Sequence, residues 1–166
     1  MFASVEDVVR AVVDRVEDVA EAAGVQLVVH VGPGGVTGDA GDLAEALGNI
    51  VLNAIQATAA GGAVFIHTYD RPDGSQLWAV EDTGCGMSNE AMARLGSPGF
   101  SLRSGGSGLG LASARAIIGR HGGVTEVESK PGAGTLVTIW LPSEPPRDDV
   151  RARGCAAANN DNGRGD

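Results

Sequence analysis

Aromatic residues make up only 4% of this sequence, and 12 lysines and arginines stand against 21 aspartates and glutamates, a formal charge of −9. The shortage of basic residues leaves no positive stripe for a phosphate backbone, which excludes a nucleic-acid binder. No apolar run reaches the roughly 18 residues that a bilayer span requires. The N-terminus also lacks the basic-then-apolar layout of a signal peptide. No membrane contact is expected, and a reducing cytoplasmic setting is the default. The two cysteines, Cys85 and Cys155, lie far apart in dissimilar surroundings, which argues against a disulfide framework.

What is present suits one domain. The chain has 166 residues, 43% of them apolar, enough to bury a core without covalent staples. Glycine is abundant at 26 residues and clusters between periodic segments, the habit of a backbone that must approach a ligand closely.

Hydrophobic spacing sets out the elements. Ser4 to Ala23 reads as an amphipathic helix with valines at helical intervals, Ser4 and Asp7 resembling a cap. Val25–Val31 is a β-branched run, and Gly32-Pro33-Gly34-Gly35 reads as a turn. A second helix is expected from Asp39 to about Thr58. Strands follow at Ala63–Asp70 and Gln76–Asp82, joined by Pro72-Asp73-Gly74. Residues 83–107 show little periodicity beyond a short helix near Ser88–Leu95. A helix from Gly108 to about His121 and strands at Val124–Ser129 and Thr135–Leu141 complete the pattern. From Ser143 to Asp166 the sequence is polar and aperiodic, which reads as a disordered tail after a domain at 1–142. This order suggests an α/β two-layer sandwich.

Four constellations carry chemistry. Glu45, Asn49 and Asn53 recur every four residues along one stripe of the second helix. An Asn oxygen there can serve a hard cation such as Mg²⁺, which takes few protein ligands besides substrate phosphates. Asp82-Thr83-Gly84-Cys85-Gly86 follows a strand directly. A carboxylate at a strand mouth can accept a hydrogen bond from an exocyclic amine, while the glycines let a flat ring lie against the backbone. Gly105-Gly106-Ser107-Gly108-Leu109-Gly110-Leu111 opens a helix, whose free N–H groups and dipole favour phosphate. It is neither a Walker loop, lacking Gly-Lys-Ser/Thr, nor a dinucleotide fingerprint, because Leu111 stands at the last glycine position. Gly132-Ala133-Gly134-Thr135 enters the last strand with a hydroxyl able to read a base edge. Taken singly, each pattern also fits an ordinary turn or helix flank.

Together and in this order, the four patterns resemble the N, G1, G2 and G3 boxes of sensor histidine kinases, over roughly residues 4–142. The catalytic domain of that family has the Bergerat fold of the gyrase, heat-shock-chaperone and MutL ATPases. The resemblance implies a mixed, mostly antiparallel sheet covered on one face by three helices. It implies ATP and Mg²⁺ as ligands. Asp82 would hold the adenine amine, with Gly84, Gly86 and Thr135 completing the base pocket. Asn53 would ligate Mg²⁺ and Asn49 would order the same region. Gly106, Gly108, Leu109 and Gly110 would lie in a lid over the triphosphate, and Arg103 would be a cation near the γ-phosphate. Ser97–Arg103 sits where the family has its F box, with Phe100 the matching aromatic. His121 is expected to be structural.

Within that superfamily, hydrolases and serine kinases carry a Glu four residues before the metal-binding Asn. The corresponding residue here is Asn49, which has no basicity, so transfer to an imidazole that already offers a lone pair is the implied reaction. Glu45, one turn earlier, remains able to influence an acceptor. Gln56 stands where many members have a Lys or Arg. None of His30, His67 and His121 reads as an acceptor, and no acceptor helix precedes Ser4. The expectation is an isolated, monomeric catalytic domain whose partner is a separate phosphoacceptor and dimerisation domain, with a response regulator reached indirectly. The competing reading is a regulatory nucleotide-binding module of the same fold, akin to an anti-sigma factor or a degenerate kinase.

Overall fold

The computed structural model describes residues 1–95 and 110–143. Ser4 caps helix α1 (Val5–Ala23) by accepting the Asp7 N–H, and Gly24 ends it in the left-handed conformation. Valines 5, 8, 9, 12 and 16 line its buried face, as their spacing demands, whereas Val19 faces solvent. Helix α2 (Ala40–Ala57) is capped by the Asp39 carboxylate on the Asp42 N–H. Its inner face buries Leu43, Leu47, Ile50, Val51 and Ile55 almost completely.

Two strands escape the sequence pattern. β1 (Phe2–Ser4) pairs antiparallel with β3 (Gly35–Thr37), so Gly35 belongs to a strand and not wholly to the turn expected at 32–35. The other strands form one sheet. They are β2 (Gln26–Val31), β4 (Ala63–Asp70), β5 (Gln76–Asp82), β6 (Val124–Ser129) and β7 (Thr135–Leu141). Their order is β2-β4-β5-β7-β6, with β2 parallel to β4 and every other pair antiparallel. The mixed, mostly antiparallel sheet expected from the resemblance is what the chain forms.

Alternation along the strands separates two faces. Val64, Ile66, Trp78, Val80, Val137, Ile139 and Leu141 point into the core and are nearly inaccessible. Helices α1, α2 and α4 (Gly110–Arg120) join them in a single hydrophobic cluster through residues such as Val12, Ile50 and Ile118. The short α3 (Asn89–Arg94), capped by Ser88, buries no residue and lies outside that layer. On the opposite face His30 and His67 stack at 5.1 Å between ring centroids, with Phe65 and Tyr69 stacked on His67. His121 is structural, as expected: Nε2 accepts the Asp39 N–H and Nδ1 lies 2.8 Å from the Ile117 carbonyl, tying the start of α2 to the end of α4. Among the described residues no helix is long and apolar enough to cross a membrane.

Candidate functional site

Asp82 is the last residue of β5 and lies on the covered face, in register with Val64 on one side and Thr135 on the other. It is only 5% exposed. A carboxylate in such a place must be hydrogen-bonded, and among the described residues its partners are backbone. The Gly84 N–H donates to Oδ1 at 2.8 Å, and the Thr135 N–H donates to the same carboxyl. An ionised carboxylate has about four lone-pair positions, so two donors leave capacity for a ligand. Burial raises the pKa of Asp82, and the two backbone donors only partly oppose it.

The loop after Asp82 is pinned on both sides. The Cys85 N–H donates to the Ala57 carbonyl at the end of α2, and the Cys85 carbonyl accepts the Gly132 N–H at 2.7 Å from the β6–β7 turn. Gly86 and Gly134 both have positive φ, +66° and +79°. A Cβ at Gly86 would run into the Lys130 carbonyl, and one at Gly134 into the Asp82 carbonyl. Glycine is therefore required at these two positions by conformation and by space together. The side chain of Cys85 is exposed.

Asn49 and Asn53 sit one turn apart on α2, Asn49 half-buried and Asn53 exposed. Neither side chain has a hydrogen-bond partner among the described residues, so both amides are available to a ligand. Gly110, the first residue of α4, faces them: a Cβ there would stand 3.5 Å from Asn53 Oδ1 and 3.9 Å from Asn49 Cβ. The N-terminus of an 11-residue helix thus opens beside two free amides, a favourable place for phosphate and a hard cation. Because α2 runs from Asn49 to Ala57, whose carbonyl holds the Asp82 loop, one rigid helix links the two halves of the site. Arg103, Gly106, Gly108, Leu109, Phe100 and the tail beyond Ser143 lie outside the described residues.

Two residues that sequence reasoning passed over belong to this site. Met87 is buried, and its N–H donates at 2.8 Å to Ser129 Oγ on β6. The same oxygen is 2.8 Å from Thr135 Oγ1 and 3.0 Å from the Gly134 carbonyl. The only available signal was strand alternation, which puts Thr125, Val127 and Ser129 on the covered face. The turn also borders a cleft of about 450 Å³ lined by Met92, Lys130 and Leu136 among others.

With this geometry in view, similarity to known proteins is informative. Residues 38–145 match the family described as histidine kinase-, DNA gyrase B- and HSP90-like ATPases. The chain belongs to that family, and its relatives place it with the ATP-binding catalytic domains of sensor histidine kinases. It is 39% identical over 103 residues to the signal transduction histidine-protein kinase AtoS of Escherichia coli K12, covering 62% of this chain and 17% of AtoS. The mycobacterial sensor histidine kinase MprB superposes with a TM-score of 0.79 at 26% identity, over 88% of this chain and all (100%) of that one. Full-length ShkA in complex with AMPPNP superposes at 0.75 and 26% identity, over 92% of this chain and 33% of ShkA. The chain thus spans a small part of AtoS and about a third of ShkA.

Proposed function

We propose that this domain binds Mg-ATP and passes the γ-phosphoryl group to a histidine on a separate phosphoacceptor and dimerisation domain. The observation that carries the reading is Asp82, a buried carboxylate at a strand mouth with lone pairs that no other described residue uses. Such a group suits the exocyclic amine of adenine, with Thr135, Gly84 and Gly86 around the ring. Asn53 would ligate Mg²⁺, whose charge would draw off the negative charge that spreads over the phosphoryl oxygens in transfer. Asn49 would order the phosphates beside it. The α4 N-terminus, with Gly106, Gly108, Leu109 and Gly110, would close on the triphosphate, and Arg103 would supply a further cation.

Asn49 favours transfer to histidine over hydrolysis. Activation of water or a serine hydroxyl needs a base, and an amide cannot take the proton. An imidazole nitrogen brings its own lone pair. It forms the N–P bond as the bond from the γ-phosphorus to the β–γ bridging oxygen breaks, and ADP leaves with that electron pair. The domain's contribution is then positioning and electrostatic stabilisation.

The test is to incubate the domain with γ-labelled Mg-ATP and a separate dimerisation domain carrying the acceptor histidine. Acid-labile, base-stable label on the acceptor is expected. Nucleotide binding without transfer would overturn the kinase reading. Asn53→Ala should remove most of the magnesium dependence of ATP binding in titrations with and without the metal. An unchanged dependence would refute its assignment as the ligand.

A further inference from the structure

Ser129 Oγ has one proton and two lone pairs, and three groups surround it. The Met87 N–H can only donate to it, at 2.8 Å, and the Gly134 carbonyl can only accept from it, at 3.0 Å. Thr135 Oγ1, at 2.8 Å, can do either. If Ser129 gives its proton to Gly134, both lone pairs remain for Met87 and for the Thr135 hydroxyl, and three hydrogen bonds form. If it gives the proton to Thr135, the bond to Gly134 is lost and two remain. The first arrangement makes the most bonds within the protein. It turns the proton of Thr135 toward Ser129 and leaves the Thr135 oxygen outward as an acceptor only.

Thr135 is the register partner of Asp82 on the same covered face, and its own N–H donates to the Asp82 carboxyl. Resting on the reading of this pocket as an adenine site, we infer that Ser129 is a positioning residue for base recognition. It polarises the Thr135 hydroxyl so that the pocket presents two acceptors, Asp82 and Thr135, to the two N–H bonds of a purine 6-amine. Ser129 does not touch the base. It decides which way a hydroxyl that does touch it is facing, and its bond to Met87 ties the loop that follows Asp82 to the same atom.

The 6-amine is isolated by comparing ATP with purine riboside 5′-triphosphate, which differs only in lacking that group. Affinities of both would be measured calorimetrically, without turnover, for the parent, Ser129→Ala, Ser129→Thr, Thr135→Val and the Ser129→Ala/Thr135→Val double variant. The parent's preference for ATP should fall roughly threefold to tenfold in Ser129→Ala, the scale of one neutral hydrogen bond. Ser129→Thr, which keeps the hydroxyl, should restore it. Thr135→Val should lower the preference on its own, and Ser129→Ala should add nothing in that background. A purely structural serine would weaken both nucleotides alike, and an unchanged preference in folded Ser129→Ala overturns the inference. Should Ser129→Ala fail to fold, Thr135→Val carries the test, since it keeps the ties from Ser129 to Met87 and Gly134; an unchanged preference there overturns it as well. A parent that binds neither nucleotide refutes the site itself, whereas one that binds ATP with no dependence on Ser129 or Thr135 refutes only their role.

Discussion

Strand β5 buries a polar side chain at each end of the same face, and the two ends are treated in opposite ways. At its start Gln76 is 1% exposed and is matched by side chains: Nε2 donates to Asp70 Oδ1 at 2.7 Å, and Oε1 accepts from Trp78 Nε1 at 3.4 Å. At its end Asp82 is almost as buried, yet its partners are backbone N–H groups that leave part of the carboxylate unused. Trp78 and Leu141 are buried beside the first end, where Gly34 also lies against the Gln76 amide, whereas at the second end Gly84 and Gly134 bring main chain against Asp82 itself. Burial of a polar group therefore does not by itself mark a site. What distinguishes Asp82 is that backbone holds it in place and that its remaining hydrogen-bonding capacity is of one kind, acceptor only.

The largest effect expected from breaking this contrast comes at Gly134. An alanine there would hold a Cβ at a φ of +79° against the Asp82 carbonyl. Left-handed strain costs about 1–2 kcal/mol and overpacking about 1–3 kcal/mol, so Gly134→Ala should destabilise the domain by roughly 3 kcal/mol and abolish ATP binding. Urea unfolding and a binding titration would measure both. Parent-like stability would show that the turn can move away from Asp82, and the rigid pocket argued above would be wrong.

Reciprocal variants at the two ends sharpen the comparison. Asp82→Asn should weaken ATP about 10- to 100-fold, the worth of a hydrogen bond to a charged acceptor, with little loss of fold. Gln76→Ala should do the reverse. It orphans the buried Trp78 indole N–H and should cost about 1–3 kcal/mol of stability, with ATP affinity within twofold of the parent. If Gln76→Ala impaired binding as much as Asp82→Asn, the division into a structural end and a ligand end would fail.

The same contrast explains what could be read from the sequence. Strands β4 to β7 were legible because each is a short apolar or β-branched run bounded by turn residues; Asn49 and Asn53 stood out as polar groups on one stripe of a helix, and Asp82 as a carboxylate directly between a strand and a glycine-bearing turn. β1 and β3 were not legible. Each is three residues long, too short for a period, and their pairing joins Phe2 to Thr37 across the whole of α1 and β2. Ser129 and Gln76 were missed for a related reason. A hydroxyl or amide in a strand has no motif of its own, and its meaning comes from the strand opposite: Thr135 for Ser129, Leu141 and Asp70 for Gln76. Neighbours in the chain announce a helix or a loop, whereas register across a sheet is a property of the fold.

The smallest effect is a pH dependence with a definite sign. Burial raises the pKa of Asp82 above 3.8 in the folded state, so the native protein holds that proton more tightly than the unfolded chain does. The stability that this group contributes is fully present below about 3.8 and is lost as the pH rises through the higher folded value; at neutral pH its ionisation is a cost of keeping the site. Asp82→Asn removes the charge while its carbonyl oxygen can still accept from Gly84 and Thr135. The variant should melt slightly higher than the parent at pH 7, and this advantage should vanish on acidification through the carboxylate range. Melting curves without nucleotide across pH 3–8 would check it. A parent more stable than Asp82→Asn at neutral pH would mean that the backbone donors outweigh desolvation. The ionised carboxylate would then stabilise the fold, as Gln76 does, and would not be a cost of keeping the site.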